Sequence, residues 1–177
     1  PADHVADLAS VRCVEPPGDD PVGGDRRASV DEPPVLPGGH AVAARRVAGT
    51  VAKKLGASVD VVPPGKTTCP YHFHYAQEEI FVILEGSGTL RVAGQRIPVR
   101  QGDVIDIPAG PEYPHQLINT SDAPLKYLSI STQEYPEVCE YPDSGKYLAF
   151  TPIAGPLLEK GRMHRPDTDL DYWDGEP

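Results

Sequence analysis

Residues 57–132 are cut into short runs of β-forming residues by turns that carry glycine and proline. The runs are ASVDVV, IFVIL, TLRVA, RIPVR, VIDIP, HQLIN and LKYLSIS, with PPG, EGSG, GQ, QGD, AGPEYP and TSDAP among the spacers. No run is long enough to complete a stable helix, and the prolines and glycines between them would break one. Short strands at roughly 8–12-residue spacing, each closed by turn chemistry, predict an all-β sandwich or barrel. EGSG reads as a turn and GQ as a two-residue hairpin loop. No internal repeat is visible, so one copy of the domain is expected, in keeping with a chain of 177 residues.

The flanks have a different texture. Residues 1–40 hold seven prolines and five glycines, which suit neither a helix nor a central strand. They predict an N-terminal arm. Residues 41–56 are ambiguous. Val47, Val51 and Leu55 recur every four residues as on a helix face, but Gly49, Thr50 and Val51 favour extended chain, and we read extended structure with a turn. Beyond the last clear strand, the Tyr- and Pro-rich stretch predicts an extended C-terminal arm packed on the barrel. Tyr172 and Trp173, set among acids, are expected to anchor it on the domain or on a partner subunit. The boundaries are therefore 1–40 for the arm, 41–135 for the barrel and 136–177 for the C-terminal arm.

The net charge of −10 lies at the ends: −5 over residues 1–40, −4 over 163–177 and −1 between. Nothing in that distribution attracts a polyanion, so nucleic acid is not an expected partner. The longest apolar run, residues 80–84, is far too short to cross a bilayer. No basic segment followed by an apolar stretch opens the chain. Three widely spaced cysteines, Cys13, Cys69 and Cys139, make no disulfide framework and fit a reducing cytoplasm.

The chemistry gathers around CPYHFHYAQEE. In a strand, side chains alternate faces, so His72 and His74 point one way and Phe73 the other. Two imidazoles on one face are half of a divalent-metal site. His115 opens a later strand, and Glu79 enters a strand after the turn YAQE. A closed barrel would let all four converge, giving a mixed nitrogen and oxygen site suited to Mn, Fe, Ni, Co or Zn. His4, His40 and His164 sit in Pro/Gly-rich or charged segments and read as surface residues. Cys69 is either a redox-active thiol near the metal or a small buried residue. Tyr113 either lines the mouth of the barrel or packs its loop.

In these residues the chain resembles the cupin superfamily. Gly65, His72, His74, Glu79 and Gly86 follow the order of the family's first motif, with six residues instead of five between Gly65 and His72. Gly102, Pro108, Gly110, His115 and Asn119 follow the second, with four residues instead of two between Gly110 and His115. The resemblance implies an all-β cupin fold (a double-stranded β-helix or jelly-roll barrel). It implies a divalent metal held by His72, His74, Glu79 and His115, with Glu78 the alternative to Glu79, and a structural Asn119. Segments 140–146 and 171–176 resemble parts of small bacterial single-domain cupins; single-barrel cupins are often dimers with exchanged arms, and the long polar arms here suit a homodimer. Four protein ligands would leave two adjacent positions for a small polar metabolite, with Tyr71, Phe81 and Tyr113 as candidate substrate contacts. Oxygenation, isomerisation or decarboxylation at a metal-bound oxygen function would then be the chemistry. A non-catalytic metabolite- or sugar-binding cupin is the alternative. A storage role is a third reading, against which the single-barrel length speaks.

Overall fold

The computed structural model describes residues 12–13, 43–46, 53–150, 162–166 and 171–176. Among them every regular element is a strand. In chain order these are β1 (Arg12–Cys13), β2 (Ala43–Arg46), β3 (Leu55–Val62), β4 (Phe73–His74), β5 (Glu79–Glu85), β6 (Ser87–Val92) and β7 (Gln95–Arg100). They are followed by β8 (Asp103–Ile107), β9 (His115–Ile118), β10 (Leu125–Thr132), β11 (Glu137–Tyr141), β12 (Lys146–Phe150) and β13 (Arg162–His164). The seven runs expected from sequence are β3 and β5 to β10. No described helix is long and apolar enough to cross a membrane.

One layer is a six-stranded antiparallel sheet in the order β1-β8-β5-β10-β3-β2. The other is built from a four-stranded sheet, β13-β12-β11-β4, and a three-stranded one, β7-β6-β9. Two backbone hydrogen bonds join them: the His72 amide donates to the His115 carbonyl (3.1 Å) and the His115 amide to the His72 carbonyl (2.7 Å). The fold is the jelly-roll barrel. Its core lies between the layers, where Phe81, Ile83, Ile105 and Leu125 of the first meet Leu90, Val92, Val99 and Leu117 of the second. Alternation does the sorting. In β8, Asp103, Ile105 and Ile107 are buried while Val104 and Asp106 are not, as a pleated strand with one face inward requires.

EGSG is a turn, as expected: β5 and β6 belong to different sheets, and Gly86, at φ +81°, turns the chain through a corner between them. A Cβ there would run into the carbonyl oxygen of Pro124. The hairpin after β6 is turned by Ala93 and Gly94, not by Gly94 and Gln95, since Val92 pairs with Gln95. Both loop residues have positive φ, 46° and 77°, the type I′ geometry that matches strand twist and favours Asn-Gly. Alanine is strained there. Ala93→Asn is therefore expected to stabilise the protein by about 0.5–1 kcal/mol, read as a higher urea midpoint; an unchanged or lower midpoint counts against the assignment.

Residues 43–46 and 55–62 are extended and paired with each other, as the sequence suggested; Val47 and Val51 lie outside the described residues. So do His4, His40 and all of the N-terminal arm except Arg12–Cys13, which pair with Val104 and Asp103 on the sheet edge. Tyr172 and Trp173 are 85% and 67% exposed and pack edge-to-face on each other. Among the described residues, the expected anchoring of this tail on its own barrel is not made. His164 is exposed, stacked on Tyr147. Asn119 is fully buried and structural. Its amide donates to the carbonyls of Val62 and Ala123, and its oxygen accepts from the Ser121 amide and hydroxyl.

Candidate metal centre

His72 and His115 face each other across the bridge that closes the second layer. His74 follows two residues later on the same face, and Phe73 is buried on the opposite one. The turn at residues 75–78 breaks strand parity and brings Glu79 to the inward face of β5. Glu78 is exposed, its amide capped by the Thr132 hydroxyl. The longer loop before His115 is folded back by two bonds. The Gly110 amide donates to the His74 carbonyl (2.7 Å) and the Tyr113 amide to the Gly110 carbonyl (3.2 Å). The two additional residues are absorbed there, and His115 keeps its place opposite His72.

Three of the four side chains, His72, Glu79 and His115, form one compact group, and His74 stands beside it, its ring 6.2 Å from that of His115. Ring centroids of His72 lie 4.9 Å from His74 and 4.6 Å from His115. Glu79 Oε2 is 2.8 Å from His115 Nε2 and 3.6 Å from His74 Nε2. Ligand atoms of His72, Glu79 and His115 all lie within 4.8 Å of one another. Metal bonds of about 2.1 Å put neighbouring donors about 3 Å apart, which is the scale of the two Glu79 contacts.

Each histidine is held by its other nitrogen. Nδ1 of His72 donates to the Pro70 carbonyl (2.9 Å), Nδ1 of His115 to the Tyr113 carbonyl (3.0 Å) and Nδ1 of His74 to the Glu137 carboxylate (3.1 Å). Those acceptors carry no proton, so Nδ1 must. Each Nε2 is left to present a lone pair inward, the form a metal takes. His115 Nε2 and Glu79 Oε2, 2.8 Å apart, can then both donate a lone pair to one divalent ion, and in acid a proton on Nε2 makes the same contact a hydrogen bond to the carboxylate. The donor set thus fits a divalent ion.

Glu137, which the sequence reading missed, holds this region together. Its side chain is fully buried. Besides His74 it accepts the amides of Tyr75 (3.1 Å), Ala76 (2.9 Å) and Gln77 (3.0 Å). One carboxylate therefore sets both the ring of His74 and the turn that leads to Glu79. No local pattern points to it, for it comes from β11, beyond the seven recognisable strands.

The electrostatics follow from burial and neighbours. Burial works against the charge of Glu79. The hydrogen bond from His115, together with the fields of His115, His74 and His72, outweighs it and holds the carboxyl at about 2. Burial pushes the His115 imidazole below its ordinary range, with Glu79 acting in the other direction. The Cys69 thiol is pushed up to about 12, chiefly by burial. A half-buried thiol held that high is a packing residue rather than a redox-active one.

Strand register places the inward wall. Glu79 stands opposite Ser131, and Ser131 opposite Gly56; the next rows are Phe81, Ser129, Ser58 and then Ile83, Tyr127, Asp60. One side of the interior thus presents hydroxyls and a carboxyl, and the other presents Phe81, Ile105 and Ile107. The Ser58 hydroxyl donates to Asp60 (2.9 Å), whose carboxyl is raised, mainly by burial. Of the proposed substrate contacts, Phe81 lies 5.8 Å from the His115 ring. Tyr113 packs half-buried against the main core while its carbonyl orients His115. Tyr71 is occupied elsewhere. Its hydroxyl accepts from the Gly94 amide, and the Arg91 guanidinium, itself paired with Asp143, lies 3.6 Å over its ring.

A closed antiparallel barrel with three imidazoles and a carboxylate gathered inside it defines a class, and the comparisons agree with that class. Residues 58–131 match the family model of the cupin domain, and that stretch of the chain is a cupin domain. It is 41% identical over 75 residues to an uncharacterised protein of Methanocaldococcus jannaschii, covering 42% of this chain and 58% of that one. It is 32% identical over 69 residues to the oxalate-binding protein of Thermotoga maritima, covering 39% and 54%. The chain thus spans a little over half the length of these relatives. Among solved structures, a cupin-superfamily sugar phosphate isomerase from Silicibacter pomeroyi superimposes with a TM-score of 0.62 at 25% identity, over 74% of this chain and 80% of that one.

Proposed function

We propose that the protein is a metal-dependent enzyme acting on a small polar metabolite, and that among isomerisation, decarboxylation and oxygenation the first is best supported. The observation that carries this reading is the grouping of His72, Glu79 and His115 within 4.8 Å of one another, with His74 Nε2 3.6 Å from Glu79 and all three histidines held through Nδ1. His72, His74, Glu79 and His115 would hold the ion, drawn from Fe, Mn, Ni, Zn or Co. When bound, it supplies Lewis acidity to a carbonyl or hydroxyl oxygen. The chain does the rest. Ser58, Ser129 and Ser131 offer hydroxyls to a polyhydroxylated substrate, Asp60 can accept or return a proton, and Phe81 with Ile105 and Ile107 excludes water. The likeness to a sugar phosphate isomerase supports the same substrate class.

Purified protein is expected to carry about one divalent ion per chain, and His74→Ala to lose both the ion and any aldose–ketose interconversion by the loaded protein. Metal-free protein that stays inactive after loading with each candidate ion, or activity indifferent to His74→Ala, would end this reading. The relative named for oxalate binding favours one alternative, a non-catalytic carrier that chelates a carboxylate at the same ion. Saturable oxalate binding without turnover would select it. We further propose a homodimer. The rows Val59, Leu128, Val82 and Ala57, Ile130, Ile80 form an apolar outward face on the six-stranded sheet, suited to a second copy. Sedimentation as a monomer would refute this.

A further inference from the structure

Asp60 is an unusual residue for the place it holds. It stands on the inward face of β3, 7% exposed, between Ser58 and the fully buried Val62. Tyr127 and Ile83 share its row across the sheet. An apolar side chain would pack there without penalty, whereas a buried carboxyl must be hydrogen-bonded or lose its charge. The protein satisfies half of it. The Ser58 hydroxyl donates to Oδ2 (2.9 Å). Tyr127, directly opposite, donates its hydroxyl to Thr68 instead (2.8 Å). Among the described residues, none donates to Oδ1. No described side-chain oxygen or nitrogen is both fully buried and unpartnered, so Oδ1 keeps access to the barrel interior.

Glu79 and Asp60 lie two strands and four residues apart on the same wall, with β10 between them. On a flat sheet that offset separates their backbones by about 16 Å. The curvature of the barrel and two inward side chains shorten it. Burial raises the Asp60 carboxyl against the Ser58 hydrogen bond, and the charge of Glu79 raises it further, so the two groups sense each other across one interior. The diagonal from one to the other crosses Ser129 and Ser58, with Phe81 alongside. One end of this track carries the candidate ion ligands, the middle offers hydroxyls and the far end offers a half-satisfied carboxyl. We propose that Asp60, supported by Ser58, accepts a hydrogen bond from a hydroxyl at the far end of a linear polyhydroxylated substrate whose near end is held at the ion. The inference rests on the metal-dependent reading above; it adds the shape of the substrate and the residue that selects it. A carboxyl oxygen that only the substrate satisfies is left wanting by an analogue without that hydroxyl, which makes the contact a source of specificity.

The test is calorimetric titration of the zinc-loaded full chain with glycolate and with gluconate. Both present the same α-hydroxycarboxylate to the ion, and only gluconate carries a hydroxylated chain beyond it. Gluconate is expected to bind about 10–100-fold more tightly. Asp60→Val should cut that ratio by about tenfold or more, and Ser58→Ala by less. Neither should change the affinity for glycolate, which serves as the check on folding and metal content. A ratio near one in the unmodified chain, or a ratio that Asp60→Val leaves intact, overturns the far-end contact and leaves the metal centre standing. Loss of glycolate binding in both Asp60→Val and Asp60→Asn overturns it too, since Asp60 would then belong to the ion site. If the loaded chain binds neither acid, the metal-centre reading falls and this inference with it.

Discussion

Replacing Glu137 with alanine is expected to lower stability by about 3–5 kcal/mol and to weaken metal binding by about 10–100-fold. The side chain is fully buried and accepts four N–H groups, three from the backbone of residues 75–77 and one from the His74 ring. Alanine would leave the amides of Ala76 and Gln77 and the His74 ring nitrogen without their acceptor, while the Tyr75 amide would keep the Val138 carbonyl at 3.0 Å. Net hydrogen bonds contribute modestly, but an orphaned buried donor costs its full desolvation, about 1–3 kcal/mol each before relaxation. The loss of metal affinity has a separate origin. Without its acceptor, Nδ1 of His74 no longer fixes the tautomer or the ring, and the turn that delivers Glu79 is freed. Glu137→Gln separates the two effects. An amide keeps one acceptor oxygen for the backbone but brings an NH2 against donors, so part of the stability returns while metal affinity stays low. Urea unfolding of the apo protein and a competitive metal titration read the two quantities. An alanine variant that unfolds and binds metal like the original would show that Glu137 does neither job.

The second large effect is of pH. The apo protein is expected to lose stability as pH falls below about 6.5, and most steeply between about 4.5 and 2. The sign follows from proton uptake. His115 is depressed from 6.5 in the folded chain, so below that pH the unfolded state binds more protons and is favoured. Glu79 is depressed from 4.5 to about 2, so its contribution is complete above 4.5 and is lost as pH falls through the folded value. A depression of that size is worth about 3 kcal/mol. Bound metal competes with the same protons, so its affinity should fall over the upper part of this range. Unfolding midpoints from pH 7 to pH 2.5, with and without Glu79→Gln, check this. The variant should flatten the steep lower segment. Parallel curves would mean that Glu79 is not the group responsible.

The candidate ligand residues stand out in the sequence itself, because their spacing is a local property. Alternation puts His72 and His74 on one face, and the motif order singles out His115. Glu79 was separable from Glu78 only by its distance to Gly86, and the structure gives the reason: the turn at residues 75–78 resets parity. The GQ turn was harder. Turn residues say that the chain reverses, but whether the flanking strands pair with each other depends on which sheet each joins, and the register of a hairpin decides which two residues form its loop. Tyr71 adjoins the histidine pair in sequence yet is committed to Arg91 and Gly94 in space.

What the sequence determined by itself is the periodicity: seven strands, their turns, and which donors share a strand face, all consequences of a two-residue repeat over a few neighbouring residues. What only the tertiary structure decided is the company those donors keep. Glu137 reaches the His74 ring because β11 pairs with β4 across about sixty residues of chain. No short-range pattern encodes a pairing of that separation. It is fixed when the apolar faces of two layers bury each other and the backbone hydrogen bonds at their seam close in a single register.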